Sequence, residues 1–250
     1  MNFSKLTKKV LESLKEIVPS IVFNEDQKGY LLTNNESKQI GIRYTLSEEE
    51  KKMPEFSIFD FPGFCSILSE FDDSAVLTFK KENSLIIRSG ASQLEYYFAS
   101  KEFIPERPKK FLEDSDFVNL GIEFILKKED HQKISKFMKM LKSDAFAIES
   151  KAGQIIISLR DLKNDQSTKF KLVAGKNLIV DAPEGLVYNF QVADIKFPVD
   201  FDYNVKIMKD PKICKLSAQV DKEEKDEKSE KKQLVKIPIG LEYIIGAITD

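Results

Sequence analysis

Lys5, Lys8 and Lys15, with Glu12 among them, lie opposite a helical stripe of Leu6, Val10, Leu14 and Ile17. Lys128, Gln132, Lys136 and Lys139 repeat that arrangement opposite Ile134, Phe137, Met138 and Leu141. Flexible, strongly hydrated ammonium groups attract a phosphate backbone but do not read bases, which suits planar arginine better. Of 39 basic residues only Arg43, Arg88, Arg107 and Arg160 are arginine, which leaves 39 minus 4, or 35, lysines. The 41 carboxylates bring the net charge to −2 and exclude a generally basic, DNA-coating protein. Either face alone reads as a solvated helix surface. Their recurrence at corresponding places in two halves of one chain points to a common use. If the halves pack edge to edge, the two faces line one concave surface.

Catalytic chemistry has no comparable constellation. The lone histidine, His131, falls within the second long helical pattern beside Asp130 and reads as a flank residue of a charged helix. There is no H-E-x-x-H and no phosphate-cradling glycine loop, and Gly63-Phe64-Cys65-Ser66 fails the nucleophile-elbow pattern. No carboxylates pair in an apolar setting that would separate their pKa values. Cys65 and Cys214 have no metal-type spacing and read as buried, reduced thiols. The expectation is a protein that is not an enzyme and needs neither metal nor cofactor.

The elements that position the lysines follow from periodicity. A helix is expected over about 5–18, with Ser4 as N-cap and Pro19 as stop. Ile21–Phe23, Tyr30–Thr33 and Gln39–Thr45 read as strands between turn formers. Glu55–Asp60 reads as a strand running into a short helix, with Pro62 in its first turn and Phe64, Ile67, Leu68 and Phe71 as its stripe. Ala75–Lys80, Ser84–Arg88 and Gln93–Ala99 alternate as strands. A polar, proline-broken linker spans 101–115, and divides a domain of residues 1–100 from one of 116–250. The second half reads as strand Phe117–Leu126, helix Lys127–Lys142, then strands at Ala145–Glu149, Gln154–Leu159, Thr168–Val173, Leu186–Val192, Tyr203–Met208, Ile213–Ala218 and Leu234–Ile239. A turn at Ala193–Pro198 stands where a fourth helix would be, and Lys222–Lys232 reads as a solvated hairpin loop or disordered excursion. No apolar run approaches the ~20 residues of a membrane span.

Ser4-Lys5-Leu6 and Ser57-Ile58-Phe59-Asp60-Phe61-Pro62-Gly63-Phe64-Cys65-Ser66-Ile67-Leu68-Ser69, followed by the Asp72-Asp73 turn, resemble the DNA polymerase sliding clamps of large tailed phages. The second half is similar in the order of its elements more than in residues, and the charged excursion after Val220 departs from the pattern. The resemblance implies an α+β chain with the DNA-clamp fold, made of two similar domains with helices lining the inside and β-sheets outside. It further implies a homotrimeric ring that holds double-stranded DNA non-specifically, by topology. Partners implied are a DNA polymerase and an ATP-dependent clamp loader, in the cytoplasm of the infected host cell. Twelve helices of ~10 Å diameter side by side give ~38 Å between opposite axes and a hole of ~28 Å, room for a duplex and a water layer.

On that basis Lys5, Lys8, Lys15, Lys128, Lys136 and Lys139 are expected to face DNA. Leu94, Tyr96 and Phe98, with Phe170 and Leu172, mark the expected subunit interface. Phe103, Ile104 and Pro105 are expected at the rim of a partner-peptide pocket, with Ile40, Ile42, Pro238 and Tyr243 as its floor. Two other readings remain open. A phage structural or adaptor protein rich in β-strands would give the lysine faces no common direction. A single-strand-binding module would want exposed aromatics interleaved with basic residues, whereas adjacent Tyr96 and Tyr97 face opposite sides of a strand.

Overall fold

The structure, a computed structural model, describes residues 1–35, 40–81, 83–105, 111–143, 145–161, 168–180, 183–191, 201–225 and 232–246. The chain forms two compact units, Met1–Phe111 and Leu112–Asp250.

In the first unit, α1 (Lys5–Leu14) starts at Ser4, whose hydroxyl accepts from the Thr7 N–H at 3.0 Å. It buries Thr7, Val10, Leu11 and Leu14. The helix is shorter than the sequence pattern suggests. Ile17 and Val18 N–H groups both turn back to the Leu14 carbonyl, and Pro19 follows. The buried stripe is therefore rotated: Leu11 and Thr7 are inside, while Leu6 and Ile17 are half-buried.

Strands β1 (Ile21–Phe23), β2 (Tyr30–Asn34), β3 (Ile40–Thr45) and β4 (Phe56–Ile58) come next. β1 pairs antiparallel with β4, and β2 with β3. α2 (Phe61–Ser69) opens where the Asp60 carboxylate accepts from Gly63 N–H at 3.0 Å, with Pro62 in the first turn. A Cβ on Gly63 would lie 2.1 Å from Asp60 Oδ2, so this close cap requires glycine. β5 (Val76–Lys80), β6 (Ser84–Ser89) and β7 (Ser92–Tyr97) form an antiparallel meander. Phe23 stacks on Phe56 at 4.5 Å, and Phe56 also meets Phe79 and Phe98 at 5.1 and 5.0 Å, which ties the strand pairs into one core.

The second unit runs β8 (Leu120–Leu126), α3 (Lys128–Leu141), β9 (Ala145–Lys151), β10 (Gln154–Arg160), β11 (Phe170–Lys176), β12 (Val187–Gln191), β13 (Asp202–Met208), β14 (Ile213–Lys225) and β15 (Lys232–Gly246). Within it, β11-β10-β9-β12 is one antiparallel set and β8-β13-β14-β15 the other. α3 has no side-chain cap of its own at Lys127. Instead Asp202, on β13, accepts from the Lys128 N–H at 2.7 Å. Burial disfavours the charge on Asp202, but its bonds from Lys236 and from that N–H prevail and hold its pKa below the ordinary value.

Two expectations are corrected in this unit. His131 is no flank residue: it is buried edge-on to Tyr203 at 5.9 Å, because α3 rolls that position onto β13. Desolvation pushes its pKa down to about 3. Of the charged stretch expected as a loop, residues 222–225 and 232 instead continue the β14–β15 ladder, through Lys225↔Lys232. β13 accompanies β14 only as far as Gln219, so the distal part of this hairpin has no β13 partner. The turn expected at Ala193–Pro198 lies outside the described residues.

Candidate nucleic-acid interface

The two lysine-bearing helices present their charges differently. On α1, Lys5 is 85% exposed and its ammonium lies 3.4 Å from Asp73 Oδ2. Lys8 is 21% exposed; its ammonium donates to the Asp72 carbonyl at 3.0 Å and lies 3.4 Å from Asp73 Oδ1. Lys15 pairs with Glu12 one turn back, and that hydrogen bond raises its pKa. Thus every candidate lysine of α1 already has a carboxylate.

On α3, Lys136 and Lys139 are exposed and Lys128 is half-buried at the first turn. Among the described residues none of these three forms an ion pair; the helix's own pair joins Lys133 to Asp130 at 3.6 Å. The apolar side of α3 is anchored by Ile134 and by Phe137, which stacks on Phe170 of β11 at 4.2 Å. Lys136 and Lys139 are thereby left in water, free to meet an anion.

Glu50 fixes the start of α1. Although 1% exposed, its carboxylate accepts from the Ser4 N–H at 2.8 Å, the Thr7 hydroxyl at 2.9 Å and the Ser47 N–H at 2.9 Å. The Thr7 hydroxyl also meets the Tyr44 hydroxyl at 2.9 Å. Burial raises the Tyr44 pKa, so that phenol stays protonated.

The remaining candidates are placed unit by unit. In the first, Ile40, Ile42 and Ile104 are buried, whereas Phe103 and Pro105 are exposed. In the second, Pro238 is exposed, but Tyr243 is fully buried and edge-on to Tyr203 at 6.0 Å. Tyr243 is a core residue of its own unit and offers no surface to a peptide.

β7 is an edge of its meander, and β11 an edge of its set. Tyr96 lies edge-on to Phe64 at 5.0 Å and Phe98 packs on Phe56, so these side chains face their own core. Phe170 does the same against Phe137. What the edges leave open is backbone. Phe98 N–H bonds the Asn83 carbonyl at 2.8 Å while Ser84 and Tyr97 are Cα partners, which turns the Tyr97 N–H away from β6. Tyr97 itself is 68% exposed, on the opposite face from Tyr96.

No family model matches the chain. Solved structures share its fold over nearly its whole length. They include A. fulgidus PCNA bound to the C-terminal region of FEN-1, with a TM-score of 0.64, 14% identity and coverage of 98% of this chain and 96% of that one. PCNA from Entamoeba histolytica gives a TM-score of 0.65 at 12% identity, covering 97% and 94%. In sequence, the chain is 27% identical over 210 residues to the sliding clamp of Vibrio phage KVP40, an alignment spanning 83% of this chain and 90% of that one. The chain is thus similar in sequence to a phage sliding clamp and shares the fold of the PCNA structures.

The acids that shape these lysine faces are not all legible as such in the sequence. Glu12 has a local signal, its i,i+3 spacing to Lys15. Asp73 and Glu50 have none, because each reaches α1 from far along the chain.

Proposed function

We propose that this chain is a sliding clamp that closes as a homotrimeric ring around duplex DNA and tethers the replicative polymerase, in the cytoplasm of an infected host cell. The observation that carries the reading is the clamp fold across nearly the whole chain, with an exposed lysine face on α3 that its own unit leaves unneutralised among the described residues. The ring retains DNA by enclosing it. Neutralising many phosphates directly would give tight, strongly salt-dependent binding and would stop sliding. A few lysines diluted by carboxylates give weak, non-specific attraction instead. A polymerase fastened to the ring then has a high effective concentration at the primer end, with no chemistry and no cofactor supplied by the clamp. Opening the closed ring is work for a separate ATP-driven loader.

In this reading the open edges of β7 and β11 join neighbouring protomers, near Leu94, Tyr96 and Phe98 on one side and Phe170 and Leu172 on the other. The exposed Phe103 and Pro105 of the first unit are the surface residues offered to partner tails. The A. fulgidus protein, bound to a C-terminal region, is a precedent for such tail recognition.

The test has two parts. Sedimentation should give a mass near three times 28.7 kDa. Charge reversal of Lys128, Lys136 and Lys139 to Glu should leave the fold intact and shorten primer extension by polymerase and loader. A monomer at every concentration, or unchanged extension at physiological salt, refutes the reading.

A further inference from the structure

We infer that Asp73 is a built-in stand-in for a DNA phosphate. It holds Lys5 and Lys8 in reserve, so that α3 supplies the ring's standing attraction and α1 engages only when a phosphate displaces the carboxylate. The inference rests on the proposed DNA-facing role of these helices and deepens it. Lys5 and Lys8 are one turn apart on α1, and their ammonium groups converge on the two oxygens of one carboxylate, each at 3.4 Å. A phosphate lying between two lysines of a helix is held in the same way.

The carboxylate is presented by a braced turn. The neighbouring Asp72 accepts from the Ser74 N–H at 2.7 Å and from the hydroxyls of Ser74 and Ser89, bonds that lower its pKa. Ser89 belongs to β6, so the turn is fastened to the meander. The Lys8 ammonium, donating to the Asp72 carbonyl, joins the helix to the same turn. Asp73 itself is 60% exposed, so its pairs are the weak, exchangeable kind. Its negative charge also opposes an approaching phosphate until exchange occurs. On α3 no such surrogate meets Lys136 or Lys139 among the described residues. A ring built this way has a grip that is divided: constant from α3, conditional from α1. Conditional contacts suit sliding, because each phosphate released is replaced at once by the protein's own carboxylate.

The experiment measures binding of the assembled protein to a short fluorescent duplex that can thread the hole without a loader, by anisotropy across a series of salt concentrations. Asp73→Asn should tighten binding about three- to tenfold at low salt. It should also steepen the slope of log K against log salt by about 1 or more, since each added phosphate contact contributes ~0.9. In a Lys5→Gln, Lys8→Gln background the same Asp73→Asn change should do nothing. Unchanged binding by Asp73→Asn, where Lys5→Gln with Lys8→Gln weakens it, overturns the surrogate role and leaves the lysine faces standing. If neither the α1 pair nor Lys136→Gln with Lys139→Gln alters binding, the DNA-facing reading falls and this inference with it. Thermal melting of each variant within a degree or two of the parent confirms that the fold is not the cause.

Discussion

Acidifying the protein from pH 7 to pH 5 should cost the second unit about 2 kcal/mol through one side chain. His131 is buried against Tyr203, and burial lowers its pKa to about 3. In the unfolded chain it titrates near ~6.5. Between those values the unfolded state binds a proton that the native state refuses. The contribution to stability is therefore complete above about pH 6.5 and is lost as pH falls toward 3. Linkage gives a loss of ~2 kcal/mol by pH 5, against a few tenths at pH 7. The neighbouring carboxylate on the helix is Asp130, engaged by Lys133, and most carboxylates still carry their charge at pH 5. Because the chain has a single histidine, no other imidazole titrates across this range. The assay is urea unfolding at both pH values for the parent and for His131→Leu, a substitution that keeps the site apolar and cannot titrate. The parent should lose ~2 kcal/mol more than the variant. Equal losses would show that His131 is not held neutral in the native unit.

Two further outcomes follow from the first unit. Glu50→Ala strands two N–H donors and the Thr7 hydroxyl, and should destabilise by ~3 kcal/mol in chemical denaturation, with Glu50→Gln recovering part of the loss. A loss below about 1 kcal/mol would mean that water replaces the carboxylate at little cost. Tyr97→Pro removes an N–H that points away from β6 and spares the meander's ladder. It should dissociate the proposed trimer while each chain stays folded, and a persistent trimer in sedimentation would exclude β7 as the joining edge.

Local signals carry most of the fold. Pro62 and the stripe of Phe64, Ile67, Leu68 and Phe71 announce α2, because a first-turn proline and helical periodicity are local, whereas the Asp60 cap over Gly63 shows only in the structure. Alternation gives the β5–β7 meander to within a residue or two at each end. What the sequence hides depends on distant partners. α3 takes its cap from Asp202 and buries His131 on Tyr203, and neither partner is near in the chain. The charged composition around 222–225 and 232 masks a ladder whose hydrogen bonds come from the backbone, which composition does not report. Among the candidate site residues, Lys136 and Lys139 of α3 stand in water as their helical spacing implies. Lys5 and Lys8 of α1 sit with an acid that only the fold brings near. Tyr243, expected in the floor of a peptide pocket, is instead fully buried, because nothing local marks which face of β15 the core takes.

The second unit also carries a rule for anyone cutting it from the chain. Lys215 is buried in β14, its ammonium donating to Asp114 at 3.0 Å and pairing with Glu242 at 2.8 Å, above the ring of Phe117. Asp114 belongs to a one-turn helix, Asp114–Asp116, closed by reciprocal bonds between Glu113 and Asp116. Half of the counter-charge for an interior cation thus precedes the first strand. A fragment beginning at β8 would leave that cation under-compensated and call for a different interior, whereas one beginning by Leu112 would take its own electroneutrality along.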